Sequence, residues 1–251
     1  MLVQQGTARN PRIDLNLVCT LAGIAGALPA SAFYSVGFFS ANMTCNVSIL
    51  SDHIAIGQWL SGLFYFTIAV AFIIGASLST LLINAGRRRN IQGIYAYNIL
   101  GEAILLALLA IADLCMLGTW RVSVVVLGLA FLMGLQNAVV TRISGARART
   151  AHVSGMATDI GIKLGIAFDI LSGRARETDA VFNLSKLRLH FYTIAAFLLS
   201  GILGVLLYQA ITGWLLIVAS MLLFFIAMMG ISSARRTFWP CGGARSYVEL
   251  R

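Results

Sequence analysis

The twelve residues TAHVSGMATDIG, 150 to 161, set Thr150, His152, Ser154, Thr158 and Asp159 beside two glycines in a chain that is otherwise mostly aliphatic. An imidazole and several hydroxyls at that density could bind a polar solute, relay a proton or support nucleophilic attack. Nucleophilic catalysis needs a base within hydrogen-bond reach of the serine and a place for an oxyanion. His152 and Ser154 are only two residues apart, Ser144-Gly145 adds no partner, and no G-x-S-x-G occurs. The segment therefore reads as a binding element and not as an enzyme's centre. His152 changes charge near neutral pH, which suits a proton-responsive ligand; the alternative is a cap on freed backbone groups.

The elements that carry this segment belong to a membrane protein. Of 251 residues, 59% are hydrophobic and only 11% charged, against about 25% charged in a soluble domain. Cys19, Cys45, Cys115 and Cys241 are scattered without CxxC or metal-ligand spacing, so neither a disulfide framework nor a metal centre is expected. No P-loop occurs, which argues against direct coupling to ATP. No cofactor is expected.

About 20 apolar residues cross the hydrocarbon core as a helix. Six segments qualify: 17–39, 59–85, 94–118, 122–140, 189–208 and 213–232. With these spans, Arg9, Arg12, Arg87 to Arg89, the basic residues from Arg142 to Arg188, and those from Arg235 onward share one side. The opposite side receives only Arg121, in the turn GTWR. Positive residues are retained in the cytoplasm, so both termini are expected there, in the inner (plasma) membrane of a bacterial cell. The net charge of +9 is then an orientation signal, with anionic lipid as a partner, and no nucleic-acid partner is expected. Arg9, Arg12 and the run to ALPASA also resemble a secretory signal with an A-x-A cleavage site. The apolar run continues to Phe39, which favours a retained span.

The end of the first span, AGALPASAFYSVGFFSANMTCN (25–46), resembles the end of the fourth, MGLQNAVVTRISGARARTAHVSGM (133–156). Each carries an internal glycine (Gly26, Gly134), a second glycine (Gly37, Gly145) and a polar cluster, with Gly155 following in the second copy. Three spans per half would insert the second copy upside down, and Gly-interrupted helices at matching positions of inverted halves point to a transporter's binding region. Backbone freed by such a break is tolerated only where it is buried or lines water. The expectation is an all-α, polytopic membrane protein with two inverted three-helix repeats (13–118 and 121–234), a polar break or re-entrant turn in each, and a tail from 235.

The second cluster also resembles the signature of the YoaK-like family, bacterial membrane proteins of unassigned function. That signature runs Gly-x-Gln-Asn-Ala, Arg-x-x-Gly, Thr-x-His-x-Thr/Ser-Gly and Thr-Asp-x-Gly. Gly134, Gln136, Asn137, Ala138, Arg142, Gly145, Thr150, His152, Ser154, Gly155, Thr158, Asp159 and Gly161 occupy it here. In the first half, Pro29 stands where the family pattern has Asp, and Cys45 replaces the Gly of Met-Thr-Gly-Asn, with Met43, Thr44 and Asn46 retained. The resemblance implies a small six-span membrane protein.

The residues together point to a small-solute secondary transporter or permease. Its substrate site would combine Asn42, Thr44 and Asn46 with Asn137, Thr150, His152 and Ser154. Glu102, the one carboxylate well inside a span, must pair, protonate or face water; proton coupling and a buried packing role are equally open. Asp113 reads as an interfacial carboxylate, and Asp159 with Lys163 as an i,i+4 pair. His53 and His190 read as interfacial. Arg142, Arg147 and Arg149 would contact lipid phosphate or an anion. A homodimer is open, as is a non-transporting scaffold or lipid-binding role. Residues 156 to 172 suit a helix at the cytoplasmic interface.

Overall fold

A computed structural model describes residues 11–91, 93–116, 118–143, 153–172 and 180–238, with the side chains of 11–18, 119, 180–186 and 235–238 left aside. These residues form eight helices and no strand: α1 (Pro11–Val36), α2 (Met43–Ala55), α3 (Trp59–Arg88), α4 (Ile94–Cys115), α5 (Thr119–Ile143), α6 (Val153–Leu171), α7 (Ala180–Ile211) and α8 (Trp214–Phe238). All but α2 and α6 are long and apolar enough to cross a membrane, which makes this a multi-pass membrane protein. In a bilayer the backbone must satisfy its own polar groups, and a helix does so within one segment. At 1.5 Å per residue, the 30 residues of α3 and the 32 of α7 exceed a ~30 Å core, so tilt or overhang takes up the excess.

The two shorter helices were read differently in the sequence. Residues 153–171 form a helix, as expected for 156 to 172. Residues 43–46, expected as part of a polar break, are the first turn of α2. Its start is fixed by Asn42, whose side-chain oxygen accepts from the Cys45 N–H at 3.2 Å and so satisfies one of the first-turn donors a helix leaves open. Immediately before it, α1 ends at Gly37, whose φ of +77° is a conformation that glycine adopts without steric cost.

Gly26, Gly134 and Gly155 do not break helices. They lie inside α1, α5 and α6, all of which run on past them. The first two are seams instead. A Cβ at Gly26 would overlap the carbonyl of Phe197 on α7, and one at Gly134 would overlap that of Phe72 on α3. Without much hydrophobic drive between helices in lipid, small residues that let backbones approach supply the packing.

Pairing follows a regular scheme. α1 lies along α7, α3 along α5 and α4 along α8, while α2 packs on α3 and α6 on α7. Exchanging α1–α4 for α5–α8 turns the α1–α7 pair into α5–α3 and the α2–α3 pair into α6–α7, and returns α4–α8 to itself. The main core runs through α1, α4, α5 and α8, around Leu21, Leu28, Tyr95, Ile99, Leu106, Met133 and Leu223. Of the six spans, α5 is the most buried and α7 the least.

Polar ties hold the layers in register. Asn98 of α4 donates through Nδ2 to the backbone oxygen and Oγ of Ser79 on α3, at 3.2 and 3.1 Å. Gln136 of α5 reaches the Leu21 carbonyl of α1 at 3.4 Å. Asp113 is not a free interfacial carboxylate: only 7% exposed, it pairs with Arg121 Nε at 2.8 Å across the α4–α5 turn. Asp159 faces His190 of α7, Oδ2 to Nε2 at 3.6 Å, and both His190 and Lys163 are buried. His53 stays at the surface, bonded through Nδ1 to Gln58 Oε1 at 2.8 Å.

Candidate functional site

A cavity of about 1270 Å³ lies between α1 and α7, with the 39–44 segment, Phe72 of α3, the last turns of α5 and the start of α6 completing its wall. The helix-spacing of the lining explains its form. On α7, Phe197, Leu198, Gly201, Ile202, Val205 and Leu206 recur three or four apart and present one face. On α1, Gly26, Pro29, Ala30, Phe33 and Tyr34 do the same. Where the two helices meet, Gly204 admits the Ala27 backbone and Tyr34 Oη accepts from Gln209 Nε2 at 3.2 Å. Contact at Gly26 and Gly204 closes the seam, and the faces beside it stay apart.

The other lining elements carry Asn42, Thr44, Asn137, Thr141 and Ser154, interspersed with Phe39, Ala41, Met43, Phe72 and Val153. Asn42 and Thr44 arrive from the start of α2, Ser154 from the first turn of α6, and Asn137 and Thr141 from successive turns of α5. Both short helices thus begin at the cavity, which brings the positive end of each helix dipole to it. Rings close the remainder; Phe33 and Phe39 stack with centroids 4.1 Å apart.

Of the seven substrate-site residues expected from sequence, the structure brings Asn42, Thr44, Asn137 and Ser154 to this one cavity. Asn46 is elsewhere: it is buried, and its Nδ2 donates to the Phe39 carbonyl at 2.7 Å, pinning the segment before α2. Thr150, His152, Gly145, Arg147 and Arg149 lie outside the described residues. Arg142 closes the last turn of α5. Glu102 does not line the cavity. It is buried in α4 at 1% exposure, and neither carboxylate oxygen has a hydrogen-bond partner among the described residues. Thr141 and the rings of Phe72 and Phe197 were not singled out from sequence. Thr141 had a signal, one helical turn beyond Asn137; the phenylalanines are indistinguishable from other span residues until the helices are placed.

No cluster of metal-ligating residues occurs among the described residues, and Cys19, Cys45 and Cys115 are free thiols, with Cys241 outside the described residues.

Six helices long and apolar enough to cross a membrane define an integral membrane protein, and four of them line the cavity. Residues 17–229 match the family model described as "Protein of unknown function (DUF1275)", and the chain belongs to that family. No curated protein and no solved structure matches it.

Proposed function

We propose that this chain is a secondary transporter or permease for a small solute, built as two inverted halves that rock about the cavity. The observation that carries this reading is the cavity itself. Its walls come from α1 and α2 of one half and from α5, α6 and α7 of the other, where alternating exposure would act. The exchange symmetry of the helix pairs supports an inverted duplication, with three long helices and one short in each half. On this reading both termini face the cytoplasm of a bacterial inner membrane, as the basic residues suggest. Glu102, buried and without a hydrogen-bond partner for its carboxylate among the described residues, is the candidate for proton coupling, acting through the α4–α8 contact at a distance from the solute. Lipid would cover the outer faces of α3 and α7, and a homodimer is compatible with the same surfaces.

The test is flux. Purified protein in proteoliposomes is offered mixed pools of small solutes under an imposed pH gradient, and the lumen is analysed by mass spectrometry. Accumulation of a solute that is lost in Asn137→Leu supports the proposal, and Glu102→Gln would lose the dependence on the gradient while keeping exchange. If no solute enters faster than into empty liposomes, transport is refuted and a lipid-binding role, using the same apolar wall, takes its place.

A further inference from the structure

We infer that Glu102 and Asn98 form a buried proton site: the neutral carboxyl of Glu102 donates its O–H to Asn98 Oδ1, and loss of that proton frees Asn98 from Ser79 and so α4 from α3. This deepens the proton-coupling reading of Glu102 and rests on it for any link to transport; the site itself needs no solute.

In this layer of the bundle the donors are used and the acceptors are not. Asn98 and Glu102 are buried one turn apart on α4, where side chains are neighbours. Asn98 spends its Nδ2 on Ser79 of α3, and Gln136 of α5 spends its Nε2 on the Leu21 carbonyl. Asn98 Oδ1, both Glu102 oxygens and Gln136 Oε1 are buried without a hydrogen-bond partner among the described residues. Leu109 of α4 lies over Gly128 of α5. Two turns back along α4 and two turns on along α5 therefore bring Glu102 level with Gln136. Buried acceptors with no donor are costly, so something must supply hydrogen or positive charge.

No cationic side chain does so. The charged groups of the helices packed on α4 sit toward the ends: Arg87 and Arg88 in the last turn of α3, Arg121 near the start of α5, held by Asp113, and Arg142 in the last turn of α5. Between them, residues 66–86 of α3 and 122–141 of α5 include no titratable side chain, and neither do 214–234 of α8. On α4 itself, Tyr95 lies two turns before Glu102. A hard metal cation takes about six oxygens or more, and the carbonyls of α4 are spent inside a helix unbroken from Ile94 to Cys115. A proton needs one acceptor only, and Asn98 Oδ1 is a turn away. As the neutral acid, Glu102 becomes the missing donor.

Without that proton the carboxylate is one more acceptor, and the donor within a turn is Asn98 Nδ2. Turning the amide to Glu102 gives up both contacts to Ser79. The α3–α4 contact is slight beside α3–α5 and α4–α8, which makes this tie matter. Phe72, two turns from Ser79 on α3, lines the cavity, so the proton has a route to the cavity wall besides the α4–α8 contact.

Infrared difference spectra of the full chain in nanodiscs read the proton directly. The expected result is a carboxylic-acid C=O band that is absent from Glu102→Gln and unchanged when choline replaces sodium. It should move to higher frequency in Asn98→Leu, where the O–H has lost its acceptor, with Asn98→Ala as the second variant. No band lost with Glu102, a band that appears only without sodium, or a band moved by Gln136→Leu and not by the Asn98 variants overturns the site. For the switch, Ser79→Ala is compared with the unsubstituted chain by melting temperature, at neutral pH and at the alkaline pH where the band has gone. The loss at alkaline pH should be about half that at neutral pH or less. Equal losses, or a band that persists until the protein unfolds, overturn the switch. The band without proton-driven flux in proteoliposomes leaves the site standing and refutes coupling; proton-driven flux without the band does the reverse.

Discussion

Along the α1–α7 seam, Gly26 and Gly204 let the backbones of Phe197 and Ala27 approach; along the α3–α5 seam, Gly134 and Gly75 do the same for Phe72 and Phe131. The device is shared, but the space beside it is not. Next to α3–α5, Ile68, Val126 and Ala130 are sealed by Val36, Phe38, Met43, Phe64 and Tyr65. Next to α1–α7 there is a chamber with amides and hydroxyls in its lining. Two similar helix contacts are therefore flanked differently: packed side chains fill the Ile68–Val126 side of α3–α5, which meets the cavity at Phe72, Asn137 and Thr141, whereas the cavity runs along both helices of α1–α7. The six residues after Gly37 send Phe38 into the filled side and turn Phe39 and Asn42 toward the empty one, with Met43 touching both.

The largest expected effect comes from closing either seam. Gly26→Leu and Gly134→Leu each force a side chain into opposing backbone, and each should cost about 3 kcal/mol or more. Recovery of monodisperse protein in detergent, with its melting temperature, checks both. A tolerated Gly26→Leu would mean that the α1–α7 contact opens readily and would break the likeness of the two seams.

Filling the spaces should separate them next. Ala130→Trp overpacks the sealed joint and should cost about 2 kcal/mol. Thr44→Trp projects into the chamber and should leave stability within about 0.5 kcal/mol. Equal losses in denaturant or thermal unfolding would contradict the contrast.

A smaller loss is expected where α4 turns into α5. Arg121→Ala leaves Asp113 largely buried and without this partner, but Arg121 is itself 38% exposed, so the cost should be nearer ~1 kcal/mol than the several of a fully buried pair. Asp113→Asn in the same background should recover part of it, as measured by the melting temperature.

The smallest effect compares the two turns that lead into the last helix of each half. After α3 the left-handed position is held by Asn90 at φ +52°; after α7 it is held by Thr212 at +47°. A β-branched residue is strained there while asparagine is tolerated. Thr212→Gly should therefore stabilise by about 0.5 kcal/mol, the relief of strain being partly offset by the glycine's greater freedom in the unfolded chain, and an unchanged or lower melting temperature would show that the turn is held by other contacts.

Much of this bundle is legible in the chain. The six spans follow from apolar length alone, and α6 from its mixed composition. Helix α2 was missed because MTCNVSILSDHIA is short and interrupted by Asn46, Ser48, Ser51 and Asp52, although Asn42 before it is a usable start signal. Gly26 and Gly134 were read as breaks because glycine serves both backbone freedom and close approach. Only the arrival of Phe197 and Phe72 from distant helices decides between them. The same holds for the cavity: Asn42, Thr44, Asn137 and Ser154 stand out as polar residues in apolar surroundings, whereas Glu102 stands out equally and lies elsewhere. Polarity marks a residue as costly to bury, but not which space it faces.

The central claim, that the two halves expose one chamber alternately, is tested most directly by accessibility. With the native cysteines replaced, single cysteines at Asn42→Cys and Ser154→Cys are treated with an impermeant thiol reagent from each side of sealed, oriented membranes. Alternating exposure predicts that each position labels from both sides. Labelling of 42 from one side only and of 154 from the other only would contradict the account and leave a static, non-transporting bundle.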